Sequence, residues 1–165
     1  MIKKILVPIA FSDFSKGILD YAAELAAPIG AELLIVNVIN ERDLEAVERI
    51  ASFGYKVDGE HYVHIIQEER RKILDEITEN LTLPDDKVSF SFLVGDPAAE
   101  LLKMVVDEEI DMVVMGVKTT DIRHIFTGSV AERMFRRCPC IVVSYRDNET
   151  AERLKKRIMK NRSRK

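Results

Sequence analysis

The sequence predicts an α/β protein with a mostly parallel sheet that helices cover on both faces. Five short runs rich in valine, isoleucine and leucine are typical of buried strands, and segments of helical periodicity separate them. One of these runs stops at Gly116, where a polar loop leads into an amphipathic helix. The resulting order, β-α-β-α-β-α-β-α-β with a helical tail, favours right-handed crossovers between parallel strands.

Hydrophobic periodicity gives the approximate bounds of each element. The predicted strands cover residues 3–9, 32–39, 88–94, 111–115 and 141–143. The predicted helices cover residues 14–27, 41–51, 60–81, 97–108 and 130–137.

Capping and turn residues justify several of these boundaries. Ser12 and Asp13 are candidate caps for the first helix, and Pro28 and Gly30 end it. Asp96 is placed to cap the predicted helix over residues 97–108, and Pro97 stands at the first position of that helix.

Length and composition indicate one soluble domain with an appendage. The chain has 165 residues, of which 47% are hydrophobic and 32% charged. No apolar run approaches the roughly 18 residues that a membrane-spanning helix needs. The first residues are too quickly polar for a signal peptide, so we expect a cytoplasmic protein. We expect a domain over residues 1–146 and a basic, helical tail over 147–165.

Charge is distributed unevenly between the domain and the tail. Residues 151–165 contain eight Lys or Arg and one Glu, a charge of +7. Because the whole chain carries −3, the other 150 residues carry −10. The tail could dock on its own acidic body, stay solvated, lie on an anionic membrane or touch nucleic acid. Nucleic acid is the less favoured partner because the tail lacks interleaved aromatic residues.

The stretch from Asp111 to Val143 carries the strongest functional motif. A strand ends at Gly116, a polar loop closes with Thr127-Gly128-Ser129, and a helix follows, an arrangement that holds phosphates in many α/β proteins. Two interpretations stay open for the helix start. The helix N-terminus at Gly128-Ser129 could hold a phosphate through its exposed N–H groups and dipole, or Ser129 and Glu132 could form only a capping box. The loop side chains of Lys118, Arg123 and His124 could meet phosphate charge or be solvated.

Residues 1–146 resemble the universal stress protein family. The resemblance is carried by five motifs: Lys4-Ile5-Leu6-Val7-Pro8, Val94-Gly95-Asp96-Pro97, Asp111 to Gly116, Thr127 to Ala131, and Cys138 to Val143. It implies a five-stranded parallel sheet of adenine-nucleotide-hydrolase type with strand order 3-2-1-4-5. It also implies a homodimer in which the last strand, Ile141 to Ser144, pairs with its twin.

The resemblance also implies a crevice for ATP or AMP after strands one and four, with no metal beyond a nucleotide-bound Mg. The base would contact Pro8, Val38 and Met115, and the phosphates would contact Gly116, Thr119, Gly128, Ser129 and Val130.

Three departures from the family pattern weaken this expectation. Ala10 stands where the nucleotide binders have an aspartate, Thr119 replaces a glycine, and the loop is one residue short. The alternatives are a non-binding dimeric interaction module and a slow ATPase. No catalytic constellation or Walker A motif is present.

Two further residue pairs have both a structural and a functional interpretation. Cys138 and Cys140 flank one proline, and we expect two small, largely buried thiols because a disulfide across one residue is strained. His61 and His64 lie three residues apart and could share a metal ion, although two histidines at a helix start are more often surface residues.

Overall fold

The computed structural model describes residues 1–54, 58–116 and 130–162. The strands are β1 (Lys4–Pro8), β2 (Glu32–Asn40), β3 (Val88–Gly95), β4 (Met112–Gly116) and β5 (Ile141–Tyr145). The helices are α1 (Ser15–Ala26), α2 (Glu41–Ser52), α3 (Gly59–Thr78), α4 (Pro97–Asp107), α5 (Val130–Arg137) and α6 (Asn148–Arg162).

The five strands form one parallel sheet in the order β3-β2-β1-β4-β5. This confirms the α/β prediction and the strand order implied by the family resemblance. β1 occupies the centre, with β2 on one side and β4 on the other. β5 is an edge strand, and its register places Met112 beside Ile141 and Gly116 beside Tyr145.

Helices bury both faces of the sheet, as the nearly continuous apolar strands require. On one face, α1 and α3 cover a core that includes Ile5, Val7, Leu19 and Leu74. On the other face, α4 and α5 cover a second core built from alternate strand residues. Its buried members are Leu6, Leu34, Val36, Leu101, Val105, Ile110, Val113, Met115 and Met134.

Side-chain caps fix the starts of α2, α3 and α4. Asn40 accepts a hydrogen bond from Arg42 N, Asp58 accepts from Glu60 N, and Asp96 accepts from Ala99 N. The Asp96 cap was predicted from the sequence and is confirmed. At the end of α1, a turn containing Pro28 leads to Gly30, whose φ of +66° is the left-handed conformation that glycine adopts without strain.

The basic helix α6 contacts the domain mainly through its first turn. Thr150 is buried, whereas Ile158 and Met159 are each 62% exposed. None of the helices in the described ranges is both long enough and apolar enough to cross a membrane.

Candidate functional site

A cleft of about 90 Å³ lies at the carboxyl ends of β1 and β4. Its walls come from the β1–α1 loop, the start of α1, the end of β4 and the β5–α6 junction. Apolar and polar side chains line it in similar numbers. They are Pro8, Ala10, Ser12, Phe14, Ile18, Gly116, Tyr145, Arg146, Asp147 and Thr150.

The β1–α1 loop is held by a buried asparagine. Asn37 on β2 is 3% exposed, and its amide nitrogen donates to Ile9 O at 2.7 Å. Arg70 on α3 donates to the Asn37 amide oxygen at 2.6 Å, and its guanidinium lies 5.9 Å from the Phe11 ring centroid. Phe11 has a φ of +51°, a conformation that costs energy for a bulky residue. These contacts fix the backbone on both sides of Ala10.

The next turn joins this loop to α1 without the predicted cap. Ser12 N donates to the buried Ser15 Oγ at 3.0 Å, and Ser15 N donates to Ser12 O at 2.8 Å. Phe14 flanks the helix, and no side chain caps it. The prediction that Ser12 or Asp13 caps α1 is therefore wrong, because Ser15, inside the first turn, satisfies the loop instead. Ser12 lines the cleft, whereas Asp13 is exposed and is not among its lining residues.

The β5–α6 junction forms the wall that sequence reasoning missed. Asp147 accepts a hydrogen bond from Thr150 N at 2.7 Å. Bonds from the Thr150 side chain and backbone, with the nearby Arg153 charge, lower the pKa of Asp147 below its ordinary value. The Asp147 carboxylate is thus ionised at neutral pH and lies in the same cleft as Ala10.

Tyr145 presses this wall against α1. Its ring centroid lies 5.5 Å from that of Tyr21. A Cβ built on Gly17 would lie only 2.7 Å from the Tyr145 hydroxyl oxygen, so the two elements meet closely where Gly17 has no side chain. The sequence signal for this wall was weak. An acidic residue two positions after the last strand could be recognised as a cap for α6, but nothing indicated that the β5–α6 junction would line a cleft with Pro8 and Ala10.

The predicted nucleotide residues divide between two places. Pro8, Ala10 and Gly116 line the cleft. Val38, Met115 and Val130 pack in the core on the other face of the sheet, with Met115 4% exposed. Strand alternation separates Met115 from Gly116, because neighbouring residues of a strand point to opposite faces. The predicted phosphate contacts of Thr119, Gly128 and Ser129 lie outside the described residues, as do Lys118, Arg123 and His124.

An ion pair joins α4 and α5 at the same edge of the sheet. Arg133 Nη1 donates to Asp96 Oδ2 at 2.8 Å and lies 2.6 Å from Asp96 Oδ1. The backbone bond from Ala99 N is the largest cause of a lowered pKa for Asp96, and the Arg133 and Arg42 charges add to it. This pair positions the start of α5 relative to the turn that follows β3.

The two histidines of α3 do not form a metal centre with their described neighbours. His64 Nδ1 lies 3.7 Å from Glu68 Oε2, and both side chains are exposed. Across residues 1–54, 58–116 and 130–162, no three His, Cys, Asp or Glu side chains are grouped to hold a metal ion.

The sequence model of the universal stress protein family matches residues 1–146. The chain belongs to the universal stress protein family. Two curated relatives agree with this assignment. Universal stress protein MJ0577 of Methanocaldococcus jannaschii is 26% identical, and the alignment covers 90% of this chain and 98% of the relative. A universal stress protein of Methanothermobacter thermautotrophicus is 28% identical, with 86% and 94% covered.

Solved structures of family members share the fold. The MJ0577 structure matches with a TM-score of 0.70 at 27% identity, covering 90% of this chain and 99% of that one. A universal stress protein in complex with cAMP matches at 0.60 and 21% identity, covering 87% and 96%. The Archaeoglobus fulgidus universal stress protein in complex with dAMP matches at 0.60 and 19%, covering 88% and 100%. At such identities, the last two matches show the fold alone.

Proposed function

We propose that this universal stress protein binds an adenine nucleotide in the cleft between β1 and β4 and acts as a regulatory binding protein. The observation that carries the proposal is the meeting of Pro8, Ala10 and Gly116 in one cleft at the carboxyl edge. β1 and β4 are neighbours in the sheet. The chain runs from β1 to β2 and β3 on one side of β1, and then crosses to form β4 and β5 on the other side. Ligands of open α/β sheets bind at such switch points.

Two family members of the same fold support the choice of an adenine nucleotide. One was solved with cAMP and the other with dAMP. Both ligands combine a purine, a pentose and one phosphate. The cleft offers matching chemistry, with an aromatic side chain at Phe14, a cation at Arg146 and an anion at Asp147.

Asp147 is our candidate for the carboxylate that position 10 lacks. Ala10 cannot accept a hydrogen bond through its side chain, but Asp147 lines the same cleft from the β5–α6 junction. An ionised carboxylate makes stronger hydrogen bonds than a neutral acceptor. It would accept from a pentose hydroxyl, and Arg146 would meet the phosphate. Because ligand pockets usually measure about 300–1,000 Å³, a cleft of about 90 Å³ would enclose the pentose and leave the rest of the nucleotide beyond it.

Isothermal titration with AMP, ATP and cAMP tests the proposal. We expect saturable binding, and about tenfold weaker binding in Asp147→Asn because the substitution removes the charge but keeps an amide oxygen that can still cap α6. Asp107→Asn, at the exposed end of α4, is the matched control and should bind as the parent does. Absence of heat and of any thermal shift at millimolar nucleotide would refute the proposal.

The open edge of β5 favours a second function, dimeric association. β5 pairs only with β4 in the sheet, and Ile141 at its start is 53% exposed. Unpaired edge strands offer backbone donors and acceptors to a second chain. We propose that residues Ile141 to Ser144 pair with the same strand of another copy.

Light scattering of variants tests the dimer. Ile141→Lys should give a monomer, since it places a charge on the proposed contact. Ile158→Lys removes an equally exposed isoleucine from α6 and should leave the mass unchanged. A monomeric parent at high concentration, or equal effects of the two substitutions, would argue against pairing through β5.

A further inference from the structure

The turn between α5 and β5 brings two thiols together. Cys138 and Cys140 flank the exposed Pro139, and their Sγ atoms lie 3.5 Å apart. Both side chains are half-buried, which corrects the expectation of largely buried thiols. In an extended strand, residues two apart are separated by about 6–7 Å. The bend at residues 139 and 140 is therefore what places the sulfurs in contact.

Both ends of this turn are anchored, so the thiols are held in proximity. Cys138 N donates to Met134 O at 2.9 Å, and the Met134 side chain is fully buried. On the other side, Ile141 is in register with Met112 on β4. A disulfide bond is about 2.05 Å long. Closing the gap requires the two Sγ atoms, now 3.5 Å apart, to approach by about 1.5 Å.

We propose that Cys138 and Cys140 form a redox-active dithiol that low-molecular-weight disulfides such as oxidised glutathione convert to an intramolecular disulfide. The Cys138 thiolate attacks one sulfur of the small disulfide, whose S–S bond breaks, and one small thiolate leaves. Cys140 then loses its proton and attacks the Cys138 sulfur, which releases the second small thiolate. In total, the protein loses two electrons and two protons, and the small disulfide is reduced to two thiols.

The surroundings of the two thiols assign this order of attack. Burial, the hydrogen bond with Cys138 and the Cys138 charge raise the pKa of Cys140 above its ordinary value. The carboxylate of Asp111 acts in the same direction. Since the thiolate is the nucleophile, Cys140 is a poor first attacker. It becomes effective once a mixed disulfide on Cys138 presents a sulfur at contact distance, because intramolecular attack is then favoured by proximity.

The ring that this bond closes is short, which makes the disulfide labile rather than structural. Cross-linking residues so close in sequence removes little entropy from the unfolded chain. Strained and accessible disulfides are more easily reduced and are typically the regulatory ones. The pair would thus be reduced in a thiol-rich compartment and oxidised when the ratio of small disulfide to thiol rises.

Redox equilibration of the full chain tests the proposal. The reduced protein is incubated in buffers with graded ratios of oxidised to reduced glutathione. It is then quenched with an alkylating reagent and analysed by mass spectrometry of the intact chain. We expect a species that takes up no alkyl group and has lost two hydrogens. Its fraction should follow the ratio as a two-electron couple. Cys140→Ala should stop at a glutathione adduct on Cys138, and Cys138→Ala should acquire an adduct more slowly than Cys140→Ala.

Circular dichroism of both variants controls for misfolding. The wild-type measurement does not depend on the variants. Three outcomes would overturn the proposal: stable mixed disulfides in the wild type, disulfide-linked dimers on a non-reducing gel, and a wild type that stays fully alkylated at every ratio while the denatured chain oxidises.

Discussion

Asn37 should be among the most sensitive polar positions in the chain. The Asn37→Ala substitution removes the donor to Ile9 O and the acceptor for Arg70, whose bonds are 2.7 and 2.6 Å long. A buried acceptor left without its donor costs about 1–3 kcal/mol. The charged bond to Arg70 adds less than its full value of about 1.5–3 kcal/mol, because the half-buried guanidinium can turn to water. We therefore expect a net loss of about 2–4 kcal/mol in the free energy of unfolding.

Urea unfolding followed by circular dichroism measures this loss. With a slope of about 2 kcal/mol per molar urea, the midpoint should fall by about 1–2 M. Two further variants distinguish the bond to Ile9 from the bond to Arg70. Asn37→Asp keeps an acceptor for Arg70 but places a carboxylate against Ile9 O, so it should remain clearly destabilised. Arg70→Gln removes only the charge-assisted bond and should cost less than half of the Asn37→Ala effect.

The same variants connect the loop to the cleft. If the Asn37 contacts hold the backbone around Ala10, Asn37→Ala should weaken nucleotide binding at temperatures where the variant is still folded.

A loss below about 1 kcal/mol in the free energy of unfolding of Asn37→Ala would contradict the reasoning about its buried hydrogen bonds. It would mean that water or a shifted side chain replaces the lost donor.

Three further predictions follow from the described contacts. Asp96→Asn keeps a cap but loses the ion pair, and should cost about 1 kcal/mol at pH 7. Because the folded-state pKa of Asp96 lies below its ordinary value of 3.8, this contribution is present above pH 3.8 and is lost as pH falls through the folded-state pKa. The stability gap between parent and variant should thus narrow in acid, and a gap independent of pH would exclude the ion pair as its source. Gly17→Ala should lower the melting temperature, although this change usually stabilises helices, because its Cβ meets the Tyr145 hydroxyl at 2.7 Å; a gain in melting temperature would show that Tyr145 moves aside freely. Met134→Ala should cost about 2–5 kcal/mol in urea unfolding, since this fully buried side chain anchors α5, and a loss comparable to that of an exposed position would contradict this anchoring role.

Most of the fold could be predicted because its signals are local. Each strand is an apolar run between turn residues, and Asp96-Pro97 indicates a helix start with little ambiguity. The start of α1 could not be predicted as reliably. Ser12, Asp13 and Ser15 are all plausible caps by type, and only the three-dimensional loop shows that Ser15 Oγ accepts from Ser12 N.

The candidate site was predicted only in part because it joins segments far apart in the chain. Pro8, Ala10 and Gly116 follow from the strand ends, where family motifs also place them. The wall formed by Tyr145, Asp147 and Thr150 depends on the direction that the chain takes after β5, and no local pattern encodes that direction. Val38 and Met115 were grouped with Pro8 by position along their strands, whereas the structure packs their side chains in the second core and Pro8 lines the cleft.

β5 connects the exposed edge of the sheet with the wall of the cleft. The strand has only five residues, with exposed Ile141 at one end and the cleft residue Tyr145 at the other. Four residue steps of extended chain span about 13 Å, and β5 is paired with β4 along its whole length. We therefore expect a binding event at the edge to shift the wall of the cleft, and a ligand bound against that wall to oppose the shift.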